Sequence, residues 1–393
     1  MSKKQKAVLQ AKLILEDGSE YLGWAFGKNR SVAGEVVFNT GMSGLVQALT
    51  DPGCKGQIFV CTWPIAGNIG VPVNKNGAPF FDEQEIPVIL ESENIHAAGL
   101  IVSDLCEEPS HYSSKISLSS WLEKKNIPGI YGIDTRTLAI RLRDKGTMRG
   151  KILVEGKPNE GDLKQESSKQ SFSDISFKKI DASNHNGVSN NEIKKYTPSS
   201  KKAGIKIALM DCGVKSNVIR CLLNRGAEVI RIPCNLDFDM KDYDGLLISN
   251  GPGDPKNYKK QIELVRKALS SSKPVFGIGL GNLIIALAAG ADTYKLQFGH
   301  RGLNQPSIEE GSGSAGKERC YVTSQNHSFA VRAETLPKGW KKWFTNANDG
   351  TIEGIRCENK PFSAVQFYPE GCPGSRDTEY VFDTFISQIK ESK

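Results

Sequence analysis

Residues 205–233 read IKIALMDCGVKSNVIRCLLNRGAEVIRIP, and their hydrophobic rhythm changes twice. IKIALMD (205–211) is a short apolar run. VKSNVIRCLLNRG (214–226) spaces its apolar residues at helical intervals and closes on Gly226, and AEVIRIP (227–233) is a second run. Strand, helix and strand in that order predict a right-handed crossover between parallel strands. The alternation continues downstream through YDGLLISN (243–250), a Gly-Pro loop, the helical QIELVRKALSSS (261–272), PVFGI (274–278) and the helical NLIIALAAGA (282–291). An α/β domain, doubly wound around a mostly parallel sheet, is expected over residues 204–393.

Upstream, residues 155–203 are rich in Ser, Lys and Asn with scattered apolar positions, the composition of a linker. The stretch before it, 8–154, begins with AKLILEDGSEYLGWAFG, where apolar and polar residues alternate around Asp17-Gly18 as in a hairpin. KISLSSWLEKKN (115–126) and TRTLAIRLRDKG (135–146) carry helical spacing, the latter ending on Gly146 as a helix C-terminus does. The first domain is therefore mixed α and β. No repeat of 20 to 50 residues points to a solenoid.

Composition narrows the function. At 393 residues, 38% hydrophobic and 24% charged, the chain has ordinary globular character. No apolar run reaches the ~18 residues of a membrane-spanning helix. The first residues, MSKKQKAVLQ, lack the apolar core of a secretory signal, so a cytoplasmic chain is expected. The net charge of +7 is dispersed, and the lysines of 194–202 sit among Ser, Thr and Pro. That is a solvated surface and not a nucleic-acid stripe. Nine cysteines, none spaced C-x-x-C, suggest neither a disulfide framework nor a zinc site, and no metal or cofactor is called for.

Two glycine-rich turns follow strands of the second domain, SNGPGDP (249–255) and GIGLGN (277–282). Ligands of such sheets bind at the strands' carboxyl ends. GIGLGN has the build of a nucleophile elbow, a tight bend that lifts its central residue above the sheet at a helix N-terminus. Its central residue, Gly279, has no side chain. A dinucleotide fingerprint fits poorly, because Asn occupies 282 where the third glycine belongs and no acidic residue follows about 20 positions on. Simple strand-to-helix packing explains the glycines equally well.

With SQNHSFAV (324–331) and AVQFYPEGCPG (364–374) added, the second domain resembles a class I glutamine amidotransferase of the triad type. EVVFNTGMSG (35–44), LTDPGCKGQ (49–57), WPIAGNIGVP (63–72) and GIDTRTLAIRLRDKG (132–146) resemble the glutaminase subunit of carbamoyl-phosphate synthetase. NLIIALAAGADTYK, RGLNQP and DTEYVFDTFISQIK look most like its eukaryotic, usually fused, versions. The resemblance implies an elbow cysteine attacking the glutamine amide, a histidine in QFHPE shuttling the proton, and a glutamate orienting it. Those positions are Gly279, Tyr368 and Glu370 here, so only the carboxylate remains. A phenol with an ordinary pKa near 10 does not replace imidazole near neutrality.

The resemblance also implies a glutamine pocket at Gly53, Gly251, Gly253, Leu280, Leu283, Asn326, Ser328 and Phe329. Gly53 stands where the family has serine, Leu283 where it has glutamine, and Ser328 where it has glycine; the other five match. Each lost partner of a buried polar ligand costs about 1 to 3 kcal/mol. Cys372 and Cys212 lie off the elbow and are expected to be inert, and His327 matches a family position without needing to be catalytic. Three functions remain: an inactive homologue acting as a structural or regulatory binding subunit; a non-hydrolysing subunit beside a large synthetase chain fed by free ammonia; or an active glutaminase. The first is favoured by the substitutions. The partner implied is a large synthetase subunit of the pyrimidine or arginine pathway or another assembly, since no ATP-binding synthetase domain fits in this chain.

Overall fold

The computed structural model describes residues 9–155, 189, 192–199, 204–313 and 317–393, which divide into two compact units. In the first, strands β1 (Gln10–Leu15), β2 (Glu20–Gly27), β3 (Val32–Asn39), β4 (Gln57–Cys61), β6 (Gly99–Ile101), β8 (Pro128–Tyr131) and β9 (Met148–Val154) close into a barrel in the order β1-β2-β8-β6-β4-β3-β9. β5 (Ile65–Ala66) and β7 (Asp104–Leu105) pair separately. The hairpin expected at Asp17-Gly18 joins β1 to β2, with Gln10 opposite Trp24. Alternation places Ala11, Leu13 and Leu15 in a core with Val36, Ile58, Val60 and Ile152. Both expected helices are present, α2 (Leu118–Lys124) and α3 (Thr135–Lys145), the second capped by Asp134 and ending at Gly146.

The second unit takes in Gly41–Lys55 and Phe81–Ser92 as well as the chain after residue 182. The first of these insertions carries α1 (Leu45–Leu49) and a single 3₁₀ turn, Pro52–Cys54. Most of the 155–203 linker expected from composition lies outside the described residues. Its end holds β10 (Lys194–Tyr196), paired antiparallel with β12, so two lysines of the basic stretch belong to a sheet edge.

The predicted crossover is present as β11 (Ile205–Asp211), α4 (Ser216–Asn224) and β12 (Ala227–Pro233), with β11 and β12 parallel. β13 (Gly245–Ile248), α5 (Lys259–Leu269), β14 (Val275–Ile278) and α6 (Leu280–Ala289) continue it. The ten-stranded sheet runs β10-β12-β11-β13-β14-β19-β18-β16-β15-β17. Its parallel centre ends at β19 (Phe362–Val365). β15 (Thr293–Glu309), β16 (Arg319–Val331), β17 (Trp340–Asn346) and β18 (Ile352–Cys357) extend it as an antiparallel wing. α7 (Tyr380–Glu391) follows.

Strand alternation builds two cores. Ile207, Leu209, Leu247, Phe276 and Val365 face α4 and α7, whereas Ala208, Met210, Leu246, Ile248 and Val275 face α5 and α6. The chain reverses direction across the sheet at β11, where β12 lies on one side and β13 on the other. The crevice at the carboxyl ends of those strands is where ligands of such sheets bind.

Candidate active site

Gly279 begins α6 with φ 58° and ψ −110°, a conformation that an L side chain adopts only under strain. Its N–H donates to the Val365 carbonyl at 2.8 Å. A Cβ there would meet Asn250 Cβ at 3.2 Å and Tyr368 Cε1 at 3.4 Å, so the position would accommodate a small side chain but faces Tyr368 across the bend. The neighbouring Gly281 differs: a Cβ there would lie 2.2 Å from the Ile248 carbonyl oxygen. Packing explains Gly281 and backbone conformation explains Gly279. Gly251 is of the packing kind too, with a Cβ position 2.3 Å from the Cys212 carbonyl oxygen and 2.8 Å from Leu280 Cδ2.

Tyr368 follows β19, and its N–H donates to Ser324 O at 2.9 Å. The ring is buried, and its hydroxyl donates to Asp51 Oδ2 at 3.0 Å. Burial first, and then the Asp51 charge, push the phenol pKa well above its ordinary value. It is a fixed donor, not a proton shuttle.

Asp51 is the residue that sequence reasoning missed. Its Oδ1 accepts from the Gly53 N–H at 2.8 Å, capping the Pro52–Cys54 turn, while Oδ2 accepts from both Tyr368 and Asn326 Nδ2, the latter at 2.8 Å. Asn326, a position expected to bind ligand, is thereby committed to Asp51 and to Cys54 Sγ at 3.3 Å. A Cβ on Gly53 would stand 3.1 Å from the Tyr368 hydroxyl oxygen. A side chain at 53 and the Tyr368 hydroxyl would thus press on one another. The Asx-capped turn in LTDPGC was the local signal available for Asp51.

Glu370 is wholly buried, and its Oε1 accepts from Lys215 Nζ at 2.9 Å. The same ammonium donates to Gly371 O at 2.9 Å, sits 4.3 Å from the centre of the Tyr368 ring and lies 4.0 Å from Glu91 Oε2. Asp211 delivers it there, accepting from Gly213 N and Val214 N and pairing with Arg231. Burial opposes the Lys215 charge, but Glu370 and Glu91 outweigh it and hold its pKa above the usual range. Burial raises the Glu370 pKa against the pull of Lys215, and raises that of Glu91 to about 7, with Glu370 adding to the effect. Two carboxyls and one ammonium therefore share this buried cluster. Lys215 and Glu91 were invisible to motif reading because they lie 124 positions apart in sequence.

The remaining expected pocket residues are dispersed in role. Leu280 and Leu283 are buried in the α5–α6 core, and Gly253 lies in its turn at φ 87°. Ser328 Oγ accepts from Arg301 Nη2, and the Phe329 carbonyl faces His327 Nδ1 at 2.9 Å. Gly53, Asn326, Tyr368 and Gly279 do come together. Cys54, Cys212 and Cys372 are not activated thiols. Burial drives the thiols of Cys54 and Cys372 upward in pKa, and a contact with Cys234 together with burial does the same for Cys212.

Residues 208–388 match the family described as "Glutamine amidotransferase class-I", which is the class that this sheet and its elbow define. Residues 13–152 match "Carbamoyl-phosphate synthase small chain, CPSase domain", and with both parts present in that order the chain belongs to the carbamoyl-phosphate synthase small-chain family. It is 45% identical over 392 residues to "Multifunctional protein pyr1-3" of Dictyostelium discoideum, covering 96% of this chain and 17% of that protein. It is also 45% identical to "Multifunctional protein URA2" of Saccharomyces cerevisiae, covering 97% and 18%. The human "Carbamoyl-phosphate synthase [ammonia], mitochondrial" matches at 45%, covering 98% and 24%. The chain thus spans a quarter or less of the length of these relatives. Among the described residues no helix is long and apolar enough to cross a membrane.

Proposed function

We propose that this chain is a glutaminase fold that does not hydrolyse glutamine and serves as a structural or regulatory binding subunit. The observation that carries the reading is the elbow. At Gly279 the backbone holds the conformation of a nucleophile bend with no side chain on it, and the group facing it is a phenol locked onto Asp51. Thiolate attack needs a thiol and a base of pKa near neutrality, and Tyr368 provides neither. Asn326 and Gly53 argue the same way, one occupied by Asp51 and the other crowded by the phenol. Purified chain supplied with glutamine should release ammonia no faster than buffer alone. A rate that saturates with glutamine and disappears in Tyr368→Phe would overturn the proposal.

A second reading is favoured by the human relative, whose name specifies ammonia. Under it, the chain is the non-hydrolysing part of an ammonia-fed carbamoyl-phosphate synthase, with phosphate chemistry on a large synthetase partner. Capture of the tagged chain from its own cells discriminates the two. Stoichiometric recovery of a large synthetase chain, with carbamoyl-phosphate formation from ammonia and none from glutamine, supports this second reading; recovery of an unrelated assembly supports a structural role.

A further inference from the structure

In the antiparallel wing, His300 on β15 stands directly opposite His327 on β16, and both reach toward Glu353 on β18. All three are buried, Glu353 completely, and their nearest donor atoms lie within 4.8 Å of one another. His300 Nδ1 is 3.1 Å from Glu353 Oε1, and His327 Nε2 is 3.6 Å from Glu353 Oε2. In a tetrahedral site with zinc bonds of 2.0–2.2 Å, ligand atoms stand about 3.3 Å apart.

Each imidazole has an acceptor on its outer nitrogen. His300 Nε2 lies 2.9 Å from Asp349 Oδ2, and His327 Nδ1 lies 2.9 Å from the Phe329 carbonyl oxygen, both acceptors. With protons on those outer nitrogens, the inner nitrogens are free to offer lone pairs to a cation held beside Glu353. This is the arrangement in which a carboxylate or carbonyl orients a metal-binding imidazole. His327 Nε2 also faces Gln325 Oε1 at 3.1 Å, another acceptor. Glu353 Oε2, buried among these groups, accepts no hydrogen bond. Two imidazoles and a buried carboxylate with one oxygen lacking a hydrogen bond offer three ligand atoms to a cation, and with Asp349 alongside, two carboxylates and two neutral imidazoles would balance a dication.

We propose that His300 Nδ1, His327 Nε2 and Glu353 form a binding site for a borderline divalent cation of the zinc type, with Asp349 and Phe329 O orienting the two imidazoles. The site ties β15, β16 and β18 together and fixes the strand on which Asn326 and Ser328 flank His327. It is separate from the Gly279 elbow and does not depend on how that elbow functions. No spacing motif announces it, because its three ligands come from three strands.

The full chain, stripped with a chelator, is titrated with zinc chloride against a chromogenic zinc competitor, and the loaded protein is measured by X-ray absorption. The expected result is one equivalent of retained zinc with an all nitrogen and oxygen shell at about 2.0–2.2 Å containing imidazole. Loading should raise the Tm by roughly 5–10 °C at zinc a hundredfold above its Kd. His300→Asn with His327→Asn should lose the equivalent. Retention of less than a tenth of an equivalent, a sulfur shell near 2.3 Å, or zinc retained by the double variant would overturn the assignment. If the double variant does not fold, the shell measured on the unmodified chain decides.

Discussion

Replacing Glu91 by Gln tests the buried Lys215 cluster through pH. The Glu91 carboxyl has an ordinary value of 4.5 and is held at about 7 in the folded chain, chiefly by burial. An acid whose folded pKa is raised binds more protons when folded, so between those two values stability falls as pH rises. At 1.36 kcal/mol per pH unit, the loss attributable to Glu91 totals about 3 kcal/mol, of which about 2 to 3 falls between pH 5 and pH 8. Glutamine at 91 cannot ionise and loses nothing over that window. Lys215, with a raised folded pKa, contributes stability that is complete below its unfolded value near 10.5 and is lost only as pH climbs beyond it, so it does not act in this range. Urea unfolding of both proteins at pH 5, 6, 7 and 8 gives the difference curve, in which titrations common to the two cancel. Glu91→Gln should gain on the parent by about 2 to 3 kcal/mol from pH 5 to pH 8. Parallel curves would refute the account in which burial beside Glu370 raises the Glu91 pKa.

Four further outcomes are expected. Gly279→Ala should lower stability by about 1 to 3 kcal/mol, because φ 58° with ψ −110° is strained for any residue with a Cβ; a neutral or stabilising effect in thermal unfolding would contradict that. Tyr368→Phe should cost about 1.5 to 3 kcal/mol by removing a donor from the Asp51 carboxylate. Gly53→Ser should destabilise the parent and cost less in that background, a coupling above about 0.5 kcal/mol in a double-mutant cycle, whereas additivity would mean the two positions do not share space. Gly279→Cys combined with Leu283→Gln and Tyr368→His should trap a glutamyl thioester detectable by intact mass; its absence would show that the pocket differs at more positions than these three.

Much of the second unit was legible because its signals are local. The 205–233 stretch, the caps at Gly226 and Gly146, and the strand-turn-helix at Gly279 each declare themselves within a dozen residues. The barrel of the first unit did not, since its closure joins β1 to β9 across more than 130 positions and no periodicity encodes that pairing. For the same reason the insertions 41–55 and 81–92 gave no sign that they pack with the second unit. The glycine at 279 and the tyrosine at 368 were plain in the sequence. What surrounds them was not: Asp51, Lys215 and Glu91 act through contacts made only once distant loops converge.

The crowding between Gly53 and Tyr368 makes the order of substitutions in this pocket matter. A serine introduced at 53 meets a phenol whose oxygen is 3.1 Å from its Cβ, so one of the two has to give by a few tenths of an ångström. Changing position 368 first removes that contact and surrenders the Asp51 hydrogen bond. A cysteine at 279 adds backbone strain that glycine avoids. Each of these steps carries a folding cost of its own, so the order in which they are made decides how stable the intermediate proteins are. The contacts that fill this site thus set the sequence in which it can be rebuilt.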